Sequence, residues 1–291
     1  MTPAADPPAV LSRVERFERV GSTNDVVRAW LEEGEPEVCA AVAGEQTAGR
    51  GRLGRTWMAP PGAALLLSLG FRPTWLPVDR VWRIPAIVSL AMADAAEDVA
   101  GLPVGAIRLK WPNDLVIETA GPRALLIGEL DAAAASASLK APLELRKVAG
   151  VLGETDGLGT DDPSVVVGIG VNGDWAAADF PPDLAPTMTS LREASAGRPI
   201  EAGVLFAAFV ERLEARVEAL RAGFFDLSSW VTRQATTGRL VLLDDEPSAV
   251  LALGVDAQSG GLVVDDPAAV RGERIVHAGE VVRVRVAGEA V

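Results

Sequence analysis

The chain is poor in the residues that carry most simple chemistries. It has one cysteine, Cys39, and one histidine, His277, and its 27 lysines and arginines are outnumbered by 40 aspartates and glutamates. A single cysteine excludes an intrachain disulfide and a cysteine metal cluster, which fits a reducing compartment. Cys39 lies in the apolar run Val38–Ala43 and reads as an inert buried residue. A Ser-His-Asp triad would have to use His277, which sits at a turn before Ala278-Gly279, a poor place for a general base. The net charge of −13 argues against broad nucleic-acid binding, which needs a basic face. No stretch is long enough to span a bilayer without charges, and residues 1–10 have neither a basic n-region nor an apolar h-region. The expectation is a cytoplasmic protein with no membrane and no nucleic-acid partner.

What is present is ordinary globular material. With 291 residues, 49% hydrophobic and 23% charged, the chain can bury a large core in one large or two unequal domains. Ser22, Thr23 and Asn24 precede Val26, Val27, Ala29, Trp30 and Leu31, a helix N-cap signal, and Gly34 and Pro36 end that helix. Strands are predicted at Val38–Gly44, Ala63–Phe71, Ile107–Lys110, Leu115–Ile117, Lys147–Gly153 and Val165–Val171. Helices are predicted at Trp82–Val99, with Pro85 tolerated in the first turn, and at Ile200–Ala222. After Gly238 the pattern changes to five short runs separated by turn residues: 240–243, 249–255, 261–264, 274–277 and 281–286. Such spacing suggests a small barrel and a domain boundary near 232–238. Thr119–Glu144, whose middle is rich in alanine and serine, is a long insertion between two strands expected to pair.

The densest local signal is Gly49–Arg55, GRGRLGR, followed by Trp57. Three guanidinium groups, each a planar fork of donors suited to carboxylates and phosphates, alternate with three glycines that allow the backbone close to a ligand. In an acidic chain this reads as a local anion-gripping loop.

Five polar sites recur in order along the strands: Ser22-Thr23-Asn24; Gln46 with the Gly/Arg loop; Lys110–Asp114 (KWPND); Arg146–Gly150 (RKVAG); and Gly168–Asn172 (GIGVN). In this order they resemble the biotin protein ligases over roughly Glu18–Trp175, and more weakly toward the C-terminus. The resemblance implies an α+β fold: a mixed-sheet biotin/lipoate ligase catalytic domain (14–234) with helices packed on the sheet, and a small C-terminal SH3-like β-barrel (236–288). It implies ATP-dependent attachment of biotin, through biotinyl-5′-AMP, to a lysine of the biotin carboxyl carrier domain of an acyl-CoA carboxylase, by a monomer or homodimer.

The implied roles follow motif by motif. Ser22, Thr23 and Asn24 would line the biotin ring with Gln46, and they supply the donors and acceptors a ureido group needs. Arg50, Gly51 and Arg52 would belong to a loop closing over biotin and the acyl-adenylate. Lys147, with Arg52, would stabilise charge on the phosphate. Asn113 and Asn172 would lie near the nucleotide, Asp114 would be a candidate Mg²⁺ ligand, and Trp57 and Trp111 would wall the pocket. Each motif alone has a plainer reading: a helix cap for Ser22–Asn24, a Lys110–Asp114 surface ion pair, a turn at Asn172-Gly173, an exposed strand lysine at Lys147. The same fold also serves lipoyl or octanoyl ligation, and a non-catalytic regulatory module could keep the pocket. Three features depart from the family pattern: the early Ser22, which leaves no room for an N-terminal DNA-binding domain and predicts no operator binding; the 119–144 insertion; and Gly153 in place of a bulkier residue.

Overall fold

The computed structural model describes residues 10–119, 144–243, 248–278 and 284–286. Seven strands form a mixed sheet in the order β1-β2-β3-β7-β6-β5-β4: β1 (Arg13–Phe17), β2 (Cys39–Ala43), β3 (Ala64–Phe71), β4 (Ile107–Lys110), β5 (Asp114–Thr119), β6 (Glu144–Asp156) and β7 (Ser164–Asn172). Only β1 and β2 run parallel, so they need a crossover, and α1 (Thr23–Glu32) provides it. The expected pairing across the insertion is present, with Thr119 opposite Glu144; residues 120–143 lie outside the described residues.

β3 is buried along its whole length, which explains its near-continuous apolar sequence: it is central in the sheet and covered on both faces. Leu65, Leu67, Leu69 and Phe71 enter the main core, shared with α2 (Arg83–Ala100) and the later helix at Ala202–Arg221. On the other face, Leu66 packs with Ala43, and Gly70 lies beneath Val27, Leu31 and Cys39. Alternation along one strand therefore assigns one sheet face to the long helices and the other to α1 and the residues beside it. Gly153, the departure noted in the sequence, faces Pro85 of α2, where an added Cβ would meet ordinary contacts at 3.7 and 3.8 Å.

Besides β1, two short α-helices were not expected, one at Leu191–Ala194 and one at Leu227–Thr232. Just after the second, Arg233 forms a buried ion pair with Glu97 of α2 at 2.6 Å. Glu97 also accepts from the Ile107 backbone N–H, and Arg233 donates to the Ile107 carbonyl. Each buried charge is thus paired and hydrogen-bonded, the condition under which such a pair is tolerated. The cluster pins the start of β4.

A second, antiparallel sheet follows: β8 (Leu240–Leu243), β9 (Val250–Val255), β10 (Leu262–Asp265), β11 (Glu273–Val276) and β12 (Val284–Val286), in the order β11-β10-β9-β8-β12. Its core consists of Val241, Leu243, Ala252, Leu262, Val264 and Val276, closed by Trp111 from the first sheet. Among the described residues no helix is long and apolar enough to cross a membrane.

Candidate functional site

The face of the large sheet that α1 only partly covers holds a cavity of about 340 Å³. Its floor follows from strand register. Gly150 on β6 pairs with Gly170 on β7, and Gly168 pairs with Ser68 on β3. A Cβ at Gly170 would overlap the indole of Trp57, and one at Gly168 would overlap the Asn24 amide. Glycine at these positions lets an aromatic ring and an amide lie directly on the sheet backbone. This accounts for the GIG of the sequence pattern.

One wall is polar and comes from α1. Ser22 is the N-cap by backbone conformation, but its side chain makes no capping bond, which corrects the simple cap reading. The Thr23 N–H instead donates to Gln46 Oε1 at 2.7 Å, and Thr23 Oγ1 donates to the same oxygen at 3.0 Å. Gln46, 23 positions downstream, therefore satisfies a donor left open at the helix start. Beneath them Ser68 Oγ lies 2.6 Å from Thr23 Oγ1 and 2.5 Å from Asn24 Oδ1. Ser68 is fully buried. Its signal was visible as the one hydroxyl in an otherwise aliphatic strand, since a buried hydroxyl needs a partner.

The Gly/Arg loop forms another wall and is a tight hairpin. Arg50 bridges Thr56, Gly51 N–H donates to the Arg55 carbonyl, and Trp57 N–H donates to that of Gly49. At the tip both Leu53 (φ 58°) and Gly54 (φ 71°) are left-handed, which glycine adopts freely and leucine only at a cost. Arg52 projects into the cavity and also donates to the Ala278 carbonyl beyond β11. Desolvation on partial burial lowers its pKa, though an arginine keeps its charge at neutral pH. Arg50 takes a different course: its guanidinium grips both oxygens of Asp25 at 2.6 and 2.8 Å.

The far wall comes from KWPND and RKVAG. Lys147 Nζ lies 2.6 Å from Asp114 Oδ1 and 5.3 Å from the centroid of the Trp57 ring. The Lys147 backbone donates to the Thr187 carbonyl, so its strand is fixed on the side away from β5 as well. The side-chain amides of Asn113 and Asn172 donate to the carbonyls of Val151 and Thr189; in this state they brace the walls. Trp111 lines the cavity but donates its indole N–H to Gly260 of the small sheet, and its backbone N–H receives Thr236 Oγ1 as acceptor. Trp175 and Phe180, which sequence reasoning did not single out, stack at 4.5 Å and also line the cavity.

All the residues expected in the site thus reach one cavity. Lys110, Lys147, Arg50, Arg52 and Arg55 line it, and Asp114 is the one acid among the described lining residues. In a chain of net charge −13 this is a concentrated positive site, shaped for a small anionic ligand with an apolar part. His277 does not line it, as its place in the sequence implied.

Comparison with known proteins agrees with this geometry. The model of the biotin/lipoate A/B protein ligase family matches residues 16–172. The bifunctional ligase/repressor BirA of Bacillus spizizenii is 28% identical over 186 residues, 64% of this chain; the match spans about half (48%) of that protein's length. The biotin--[acetyl-CoA-carboxylase] ligase of Mycobacterium tuberculosis is 29% identical over 273 residues, covering 92% of this chain and 87% of that protein. Among solved structures, the biotin protein ligase from Aquifex aeolicus in complex with biotin and ATP superposes with a TM-score of 0.70 at 22% identity, over 95% of this chain and all of that one; this likeness establishes the fold. With the family model matched from β1 through the end of β7, the chain belongs to the biotin/lipoate A/B protein ligase family.

Proposed function

We propose that this chain is a cytoplasmic biotin protein ligase that makes biotinyl-5′-AMP from biotin and ATP and passes the biotinyl group to a lysine of a biotin carboxyl carrier domain. We further propose residues 14–234 as the catalytic unit and 236–288 as a small C-terminal unit. The observation that carries the reading is the convergence of Lys147 and Arg52 on one cavity whose opposite wall is the Thr23–Asn24–Gln46–Ser68 network. A ureido ring needs donors and acceptors at one end of the site, and a carboxylate meeting a triphosphate needs fixed cations at the other.

In the first step a biotin carboxylate oxygen attacks the α-phosphorus in line; the new O–P bond forms as the bond to the leaving pyrophosphate breaks. Lys147 and Arg52 stabilise the charge that grows on the phosphate oxygens, and a donor of this kind contributes on the order of a few kcal/mol. Trp57, seated on Gly150 and Gly170, shields the acyl chain, and the hairpin at 49–57 keeps water from the mixed anhydride. In the second step the carrier lysine amine attacks the acyl carbon, an amide forms, AMP leaves and the amine loses its proton.

Asp114 suits a Mg²⁺ that takes its other ligands from phosphates and water, because that ion is ordinarily held by one or two carboxylates. Its Oδ1 is buried and faces Lys147 with no other hydrogen bond. Among the described residues no cluster of three histidines, cysteines or acids forms a protein cage for an ion. The ion would neutralise phosphate charge; alignment rests on Lys147 and Arg52. The test is incubation with ATP, Mg²⁺, a carrier domain and either biotin or lipoate, followed by intact mass. A biotinyl adduct on the carrier is expected; a lipoyl adduct alone, or none, overturns the proposal.

A further inference from the structure

Arg50 lines the cavity, but its guanidinium is held by Asp25. It sits in a four-membered ion cluster built from three separate parts of the chain. Arg50 Nη2 lies 2.6 Å from Asp25 Oδ1 and 3.7 Å from Glu154 Oε2; Arg28 Nη1 lies 2.7 Å from Asp25 and its Nη2 lies 2.8 Å from Glu154. Two acids and two guanidiniums alternate. Asp25 and Arg28 belong to α1, Glu154 to β6, and Arg50 to the hairpin.

The cluster is continuous with the ring-end wall of the cavity. Glu154 Oε2 also accepts from Asn24 Nδ2 at 2.6 Å. With Ser68 on Oδ1, this fixes which end of the Asn24 amide is oxygen and which is nitrogen. Arg50 and Arg28 hold the Asp25 carboxyl below its ordinary value of 3.8, so Asp25 is fully charged at neutral pH. Neither Asp25 nor Glu154 lines the cavity, and neither belongs to the five motifs of the sequence.

We propose that Asp25 and Glu154 are positioning residues: by gripping Arg50 they hold the hairpin shut against α1, and they thereby set the affinity for the acid substrate without taking part in phosphoryl chemistry. This rests on the ligase reading for its substrate and on the ion geometry alone for the latch. With Arg50 anchored in this way, the chain turns at Arg52–Gly54, and Arg52, at the start of that turn, lines the cavity without a contact to Asp25 or Glu154 among the ion pairs of the cluster. Loss of either acid weakens the tether of the hairpin, and loss of Glu154 also removes the acceptor of Asn24 Nδ2.

Trypsin reads the hairpin directly, because cleavage after Arg50, Arg52 or Arg55 requires it to open. Wild type, Asp25→Asn, Glu154→Gln and the conservative Asp25→Glu are each digested with and without biotin, with sites mapped by mass spectrometry. Each is also assayed for the KM of biotin and kcat in biotin-dependent pyrophosphate release. Exposed ion pairs are individually weak, so the expected change is modest: cleavage within 50–55 roughly five- to tenfold faster in Asp25→Asn and Glu154→Gln, biotin KM raised by a similar factor, and kcat within about twofold. Asp25→Glu restores both toward wild type. Unchanged cleavage in both neutralised variants overturns the latch, and so does a fall in kcat at constant biotin KM. If wild type releases no biotin-dependent pyrophosphate, the ligase reading fails, and the cleavage rates still decide the latch.

Discussion

Lys147 Nζ and Asp114 Oδ1 stand 2.6 Å apart at one end of the cavity, joining RKVAG on β6 to KWPND on β5. Both side chains are largely buried, at 22% and 25% exposed. The pair presets the ammonium beside the Trp57 ring before any anion arrives.

Replacing the cations should separate binding of the acid from its activation. Lys147→Ala and Arg52→Ala are each expected to slow adenylate formation at least about tenfold, as removal of a preorganised donor does. Pyrophosphate release with biotin and ATP measures this, and near wild-type rates in both variants would remove the assigned roles.

The glycine floor makes a second expectation. Gly170→Ala puts a methyl where the Trp57 ring lies, which costs roughly 1–3 kcal/mol in a packed site. The ring is on the cavity side, so it can swing aside more easily than the sheet can move. Biotin affinity by calorimetry is expected to fall at least about tenfold, with a smaller change in the thermal midpoint. Unchanged affinity would show that Trp57 is not part of the binding wall.

Trp111 serves both sheets. It lines the cavity, and its ring closes the core of the small sheet with its N–H on Gly260. Trp82 makes a parallel contact, donating to the Gln258 carbonyl at 2.6 Å. Trp111→Ala is expected to destabilise the protein by about 3–5 kcal/mol, with Trp111→Phe recovering most of it. Denaturant unfolding followed by circular dichroism measures the change, and an unshifted midpoint would refute the coupling.

The lone thiol gives a pH signature. Burial pushes Cys39 up to about 11 from an ordinary 9.0. The folded state therefore prefers the neutral thiol. This contribution to stability is complete below pH 9 and is lost as pH rises toward 11. Native protein at pH 8 should resist iodoacetamide, whose target is the thiolate, and denatured protein should react. Equal rates in the two states would contradict the burial.

The patterning of apolar residues identified most of the scaffold. Runs such as AALLLSLGF and VVVGIGV are so uniformly aliphatic that only central, doubly covered strands suit them, and β3 and β7 are such strands. β1 was missed because RVERF carries three charges in five residues and lies at the sheet edge, where burial leaves little trace in sequence. The loop arginines were legible as a group, because charge and glycine alternate over seven residues, but not their division of labour: Arg50 is held by Asp25 of α1, while Arg52 donates to the Ala278 carbonyl. Glu154 was invisible as a partner of Asn24, 130 positions away.

Local order thus carried the strands, the long helices, the anion-seeking loop and the identity of the polar side chains, since each depends on residues only a few positions apart. Folding decided which charges neutralise one another and which face the cavity. It also decided that glutamine, not serine, completes the start of the first helix, and that a tryptophan of one sheet finishes the core of the other. Those outcomes depend on distances between strands remote in the chain, and an ion pair or a packed ring acts only over a few ångströms, so no reading of neighbours along the sequence contains them.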